Sequence, residues 1–213
     1  MPGGGAGRRF TVFRLTSSDP REERMREGKG IVAQIIALDE GRKKVLARRA
    51  FRLWERRFGG VFDERTAIRD LPDPVLAALV ETGEASHVAI QSVVLAVVTG
   101  QEKPNMDALA PNEKIGVIDR ALFLLDRIRF ECMRRLGWVE EDASGTIPIL
   151  ELIEHFDERF AHQQNQTPAL ADRHPRYPEF QKTFEADRSS FVRRLIPEAI
   201  EAFRARVERG RFF

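Results

Sequence analysis

The stretch "PNEKIGVIDRALFLLDRIRFECMRRLG", 111 to 137, restricts the fold more than any other part of this chain. Pro111 suits the first turn of a helix and Gly137 the position just past its end, and the apolar residues between them recur at three- and four-residue spacing. Ile115, Ile118, Leu122, Leu125, Cys132, Met133 and Leu136 make one apolar face, which Val117, Ala121, Leu124 and Ile128 widen. A face that broad predicts a helix packed against two neighbours, and hence a helical domain assembled around it.

Other segments read in the same way. "EASHVAIQSVVLAVVTG", 84 to 100, has the valines of a strand but the length of a helix, and is expected as a buried helix. Pro72 and Pro74 frame the start of a short helix, "VLAALVETG", that ends at Gly83. A further helix is predicted from about Pro148 to His162, and two final helices near 178–195 and 197–210. Between them "QQNQTPALADRHPRYPEF" carries three prolines and reads as an extended loop.

Apolar spacing beginning at Ile31 runs through 41–58 and stops at Gly59 and Gly60, with a strand over 31–38 as the alternative for its first part. Ser17, Ser18 and Asp19 before Pro20, Glu22 and Glu23 spell a helix start. "FTVFRL", 10 to 15, alternates like a short edge strand or a tethered segment. The expected architecture is all-α: an irregular multi-helix bundle of about six to eight helices with a flexible N-terminal tail. Its parts are a flexible segment 1–18, a helical core 19–162, a proline-containing loop 163–177 and a C-terminal helical pair 178–213 packed on the core.

A chain of 213 residues that is 42% apolar can bury a sizeable core without staples. Its one cysteine, Cys132, excludes an intramolecular disulfide and fits a reducing compartment, so a cytoplasmic location is expected. The longest nearly uninterrupted apolar run, Val88 to Val98, falls well short of the roughly 20 residues that span a bilayer, so no membrane partner is expected. The glycine-rich start lacks the apolar run of a secretory signal.

Function has to be sought in charge. The segment "GRKKVLARRAFRLWERRF", 41 to 58, carries eight cationic side chains and one carboxylate in a chain whose net charge is only +2. As a helix it places Leu46, Ala50, Leu53 and Trp54 on one side and a ridge of Lys44, Arg48, Arg52 and Arg56 on the other, each four residues from the last. Like charges at that spacing cost a few tenths of a kcal/mol per pair, roughly, so the ridge implies a negative partner.

Two kinds of partner fit. Phosphates would compensate the ridge, although no helix-turn-helix, zinc-finger spacing or RNA-binding signature accompanies it. The chain also holds its own counterpart: "VEEDASGTIPILELIEHFDE", 139 to 158, has seven carboxylates and no Lys or Arg. The two segments nearly cancel, which suggests pairing within the chain, with a second copy, or with an acidic partner protein.

Arg129 projects within the apolar stripe of 111–137 with Asp126 and Asp119 at its edge. It is expected as a buried Arg129–Asp126 ion pair, or else as an anion-binding pocket. Glu151, His155, Glu158 and His162 share a helical stripe, but two histidines about 10.5 Å apart along the axis are too distant for one ion. No metal site is assigned. Cys132 reads as a small core residue, His87 as a cap or core histidine, and His174 and Tyr177 as anchors of their loop or exposed docking groups.

No phosphate loop, nucleophile elbow or Cys-x-x-Cys occurs, so the sequence supports no catalytic residue and calls for no cofactor. The leading expectation is a non-catalytic helical interaction or regulatory protein that uses charge-complementary surfaces and self-associates. A nucleic-acid-binding protein working through the ridge comes second, and a helical small-ligand or metal-dependent enzyme third.

Overall fold

A computed structural model of the chain describes residues 41–81, 83–101, 104–141 and 143–210. The readings made for 1–40 (the tail, the 10–15 segment, the helix start at 17–23 and the first part of the helix from Ile31) lie outside the described residues. What is described is all-α, as the periodicity predicts. Its extended pairing among the described residues is limited to two isolated bridges, Ala67 with Pro148 and Val139 with Leu170.

Among the described residues the first helix, α1, runs through 41–50, and α2 spans Arg52–Phe58. Phe51 between them keeps a right-handed helical backbone, and the hydrogen-bond ladder continues across it: Phe51 N donates to Ala47 O and Glu55 N to Phe51 O, both at 2.9 Å. The two behave as one rod, ended by Gly59 in the left-handed conformation. Next come α3 (Asp73–Leu79), α4 (Glu84–Thr99), α5 (Pro111–Leu136) and α6 (Ile149–Glu154). The C-terminal helices are α7 (Tyr177–Lys182), α8 (Glu185–Arg194) and α9 (Ile196–Gly210).

Helix α5 is the longest of the described helices, about 39 Å at 1.5 Å per residue. Its start is fixed by Glu113, whose Oε2 accepts from Ala110 N at 2.8 Å, and its end by Gly137. Val117, Phe123, Leu124, Leu125, Ile128 and Cys132 join α1 to α4 and α6 in one apolar cluster, to which Phe203 and Val207 of α9 also belong. Phe130 and Met133 belong to a second, made with Leu170 and with Phe180, Phe191, Val192, Leu195 and Ile196 from α7 to α9.

Three expectations are corrected. Ile115, Ile118 and Leu122 do not pack inward: they are 57%, 47% and 52% exposed. So much of α5 is apolar that the periodicity left the inward side open, and Val117 and Phe123 took it. The helix predicted from Pro148 to His162 ends at Glu154; a π-turn over Phe156–Phe160 and a 3-10 turn over Ala161–Gln163 follow. The helix predicted over 178–195 is two helices, because Thr183 and Phe184 adopt extended backbone.

The turn after α5 gives a direct test of packing. Gly137 has φ +76°, and a Cβ added there lies 2.7 Å from Arg173 Nη2, while Arg173 Nε donates to the Gly137 carbonyl at 2.9 Å. Gly137→Ala is therefore expected to lower stability by about 1–2 kcal/mol, read as a reduced urea midpoint with an unchanged m-value. Ala at Gly41, a helical position where a Cβ meets none of the described residues within 4 Å and no positive φ is required, is expected instead to raise stability slightly and serves as the contrast.

Candidate functional site: a cationic helix face and two internal arginine centres

The rod formed by α1 and α2 is held on its inner side by apolar and aromatic groups. Ala47, Ala50, Phe51 and Trp54 are buried, with Leu46, Leu53 and Phe58 half-buried. Trp54 meets Phe51, Phe58 and Phe62 at ring-centroid distances of 5.4, 6.2 and 5.7 Å. Its Nε1 donates to Ala89 O of α4 at 2.8 Å. Arg49 donates to Gly100 O at 2.8 Å and Arg57 to Ala85 O, so the rod runs antiparallel to α4 and its second half is tied to both ends of that helix.

That attachment decides what faces water. Lys44, Arg48, Arg52 and Arg56 are all exposed, as are Arg42, Lys43, Arg49 and Arg57, with Val45 among them. Arg56 Nε also reaches Arg52 O at 3.3 Å, within the rod itself.

The acidic segment 139–158 is engaged largely elsewhere. Arg42 Nη2 approaches Glu154 Oε1 at 3.9 Å, which does join the two segments. But Asp157 pairs with Arg120, Glu151 with Arg159 at 2.6 Å, and Glu141 stands 3.8 Å from Arg69. His155 Nδ1 lies 3.4 Å from Glu158 Oε2, and the π-turn interrupts the stripe that ran on to His162. Among the described residues no three His, Cys, Asp or Glu groups are placed to hold a metal ion.

Arg129 and Asp126 are brought together loosely, Nη1 to Oδ1 at 3.5 Å, both half-buried. The closer partner of Asp126 is Arg193 of α8, at 2.5 Å, whose other nitrogen donates to Gln164 O at 3.2 Å. Asp126 thus ties α5 to α8 and to the 163–177 loop. Spacing along one helix could show only the partner three residues away.

The most heavily charged interior point was not singled out in the sequence. Glu131, 4% exposed, accepts from Arg134 at 2.7 and 2.8 Å and from Arg135 at 2.8 Å. Arg135 continues to Asp73 at 2.5 Å and to Arg69 O at 2.8 Å. Arg206 of α9 then donates to the second Asp73 oxygen and to Arg135 O, both at 2.6 Å. One chain of charge therefore links α3, α5 and α9. A signal did exist: Glu131 beside Cys132 on a buried face needs cations, and Arg134 and Arg135 stand three and four residues on.

Burial alone would raise the Glu131 and Asp73 carboxyls, but the arginine hydrogen bonds and charges prevail and both lie below the usual carboxylate range. The same contact with Glu131 raises Arg134. Cys132 is fully buried, which pushes its thiol up to about 12 and makes it a core residue without nucleophilic character at neutral pH.

His174 is buried edge-on against Trp138, centroids 4.9 Å apart, and its Nδ1 accepts from Arg176 N at 3.2 Å. It anchors its loop, and burial lowers its pKa. His87, expected as a cap or core residue, is exposed in the first turn of α4.

Fold and site together define an all-α protein whose charged groups divide into an exposed cationic helix face and inward-turned arginine networks. No known protein-family model, curated protein or solved structure matches the chain. Among the described residues no helix is long and apolar enough to cross a membrane.

Proposed function

We propose that this chain is a non-catalytic interaction protein that docks an acidic surface on the solvent face of α1 and α2, in the reducing interior of a cell. The observation that carries this reading is the rigid seating of a cationic face. Trp54, Arg49 and Arg57 fasten the rod to α4, while the ridge residues Lys44, Arg48, Arg52 and Arg56 remain exposed. A prealigned row of cations gives orientation and association rate more than raw affinity, which suits a reversible regulatory contact. The acidic surface belongs to another protein or to a second copy, on which Glu140, Asp157 and Glu158 are exposed.

A nucleic-acid backbone is the second reading. It is favoured by the reach of the cations, which extend from Arg42 to Arg56 over about 21 Å of helix, enough to follow several phosphates.

The double variant Arg48→Glu, Arg52→Glu separates these readings. Both sites are exposed, so unfolding free energy should move by less than about 1 kcal/mol. Under the first reading the variant loses binding to a labelled polyglutamate probe, and any oligomer seen by light scattering dissociates. If wild-type protein instead binds labelled duplex or single-stranded DNA with a steep salt slope and ignores polyglutamate, the nucleic-acid reading replaces it. Unchanged mass and no binding of any probe at low salt would remove both.

A further inference from the structure

Of the four histidines in the chain, His174 alone is buried, 6% exposed, with its ring edge-on to Trp138 just after α5. Its main chain makes the turn into α7: His174 N donates to Ala171 O at 3.0 Å and Tyr177 N to His174 O at 2.9 Å. Its side chain completes that turn, because Nδ1 accepts from Arg176 N at 3.2 Å.

The last of these bonds fixes the state of the ring. A backbone N–H only donates, so Nδ1 presents its lone pair and the imidazole is neutral, with its proton on Nε2. A second proton, taken from solvent, goes to Nδ1. It turns the acceptor into a donor facing another donor, and it places a charge where little of the residue reaches water. The bond to Arg176 N is lost in that step.

Burial pushes the ring below its ordinary value of 6.5. Glu198, in the first turn of α9, works against that shift, and Arg176, at the entry to α7, adds to it. Trp138, which supplies the ring contact, is uncharged.

Arg176 gives the bond its reach. The Arg176 guanidinium carbon lies 5.0 Å from the Phe191 ring centre on α8, and the side chain pairs with Glu179 of α7 at 3.0 Å. Phe191 in turn meets Phe180 of α7 at 5.8 Å, inside the second apolar cluster. Displacing the Arg176 backbone therefore disturbs the contacts that seat α7 against α8.

We propose that His174 is a proton-operated latch: neutral, it closes the 171–177 turn and seats α7, and in mild acid, protonated at Nδ1, it releases the Arg176 N–H so that the turn and the start of α7 open. This is independent of the docking face on α1 and α2. An opened turn leaves the ring in water at its ordinary value, so it binds more protons than the closed turn once pH falls below 6.5. The latch is closed above that value and opens as pH falls through it.

NMR of the full-length protein between about pH 7.5 and 5.5 tests this. The interval stays above the acid range in which Glu131 and Asp73 lose their charge. The His174 ring should titrate below 6.5. Protection of the Arg176 and Tyr177 amides, normalised to intrinsic exchange, should fall about fivefold or more across the interval, while amides in the middle of α5 keep theirs.

His174→Asn places an amide oxygen where Nδ1 accepts and takes up no proton, so it should keep the turn and show protection that does not vary with pH. It leaves His87, His155 and His162 in place, so any response of theirs persists in the variant. Protection that stays within about twofold while the ring titrates, a loss shared by the α5 amides, an equal fall in His174→Asn, or a ring that titrates at 6.5 or above would each overturn the proposal.

Discussion

Glu131→Ala is expected to destabilise the protein by about 3–5 kcal/mol, because it deletes the carboxylate on which two arginines converge and leaves their charges where water cannot fully replace it. Arg134 would lose both of its bonds to Glu131 and Arg135 one, and the disturbance would pass through Arg135 to Asp73 and Arg206. Equilibrium urea unfolding reads this directly; a loss below about 1 kcal/mol would show that Arg134 and Arg135 turn outward at little cost. Glu131→Gln keeps the shape and one acceptor, and should fall between Ala and wild type.

The same network sets the response to acid. Glu131 and Asp73 are depressed in the folded state, so the unfolded chain binds more protons over the interval between unfolded and folded pKa values. The stability they contribute is fully present above their ordinary values of 4.5 and 3.8 and is lost as pH falls through the lower folded values. Wild type should therefore weaken steadily below about pH 5, and Glu131→Gln should show a shallower slope there.

Trp54→Ala is the second large effect, expected at about 3–5 kcal/mol for truncating a large aromatic in a packed core. Trp54 is fully buried, meets three phenylalanine rings and donates to α4, so the loss combines burial, cavity and hydrogen bond. Because it also fastens the cationic rod, amide exchange over 41–58 should accelerate more than exchange in α5 or α9. Uniform acceleration throughout would mean that the rod and the remaining helices open together. Trp54→Phe, which retains a ring but not the indole N–H, should recover most of the stability.

The long helices were readable because their determinants are local. Pro111 and Gly137 bracket α5, and the spacing of valines in 84–100 fits α4 once length is weighed against strand propensity. The amphipathic character of 41–58 was readable too, though the buried side proved to centre on Ala47, Ala50, Phe51 and Trp54, with Leu46 and Leu53 at its edge. The interruption at Glu154 was not, since "ELIEHFDERFAH" has no glycine or proline to mark the π-turn.

Less of the candidate site was readable. Charge density pointed to Lys44, Arg48, Arg52 and Arg56, yet which anions they meet depends on where the acidic segment lies, and most of its carboxylates that pair do so with Arg120, Arg159 and Arg69. Asp126 showed Arg129 in sequence and took Arg193, 67 positions away, as its closer partner.

By itself the amino-acid order determined where the chain turns helical and where charge accumulates, since capping, periodicity and net charge act within a few residues. Tertiary structure alone decided which side of α5 faces inward, how Asp73, Glu131 and Arg206 meet, and that the cationic rod is fastened to α4 with its arginines outward. These outcomes rest on contacts between residues far apart in the chain, where close packing and desolvation of charge choose among arrangements that local propensity leaves equal.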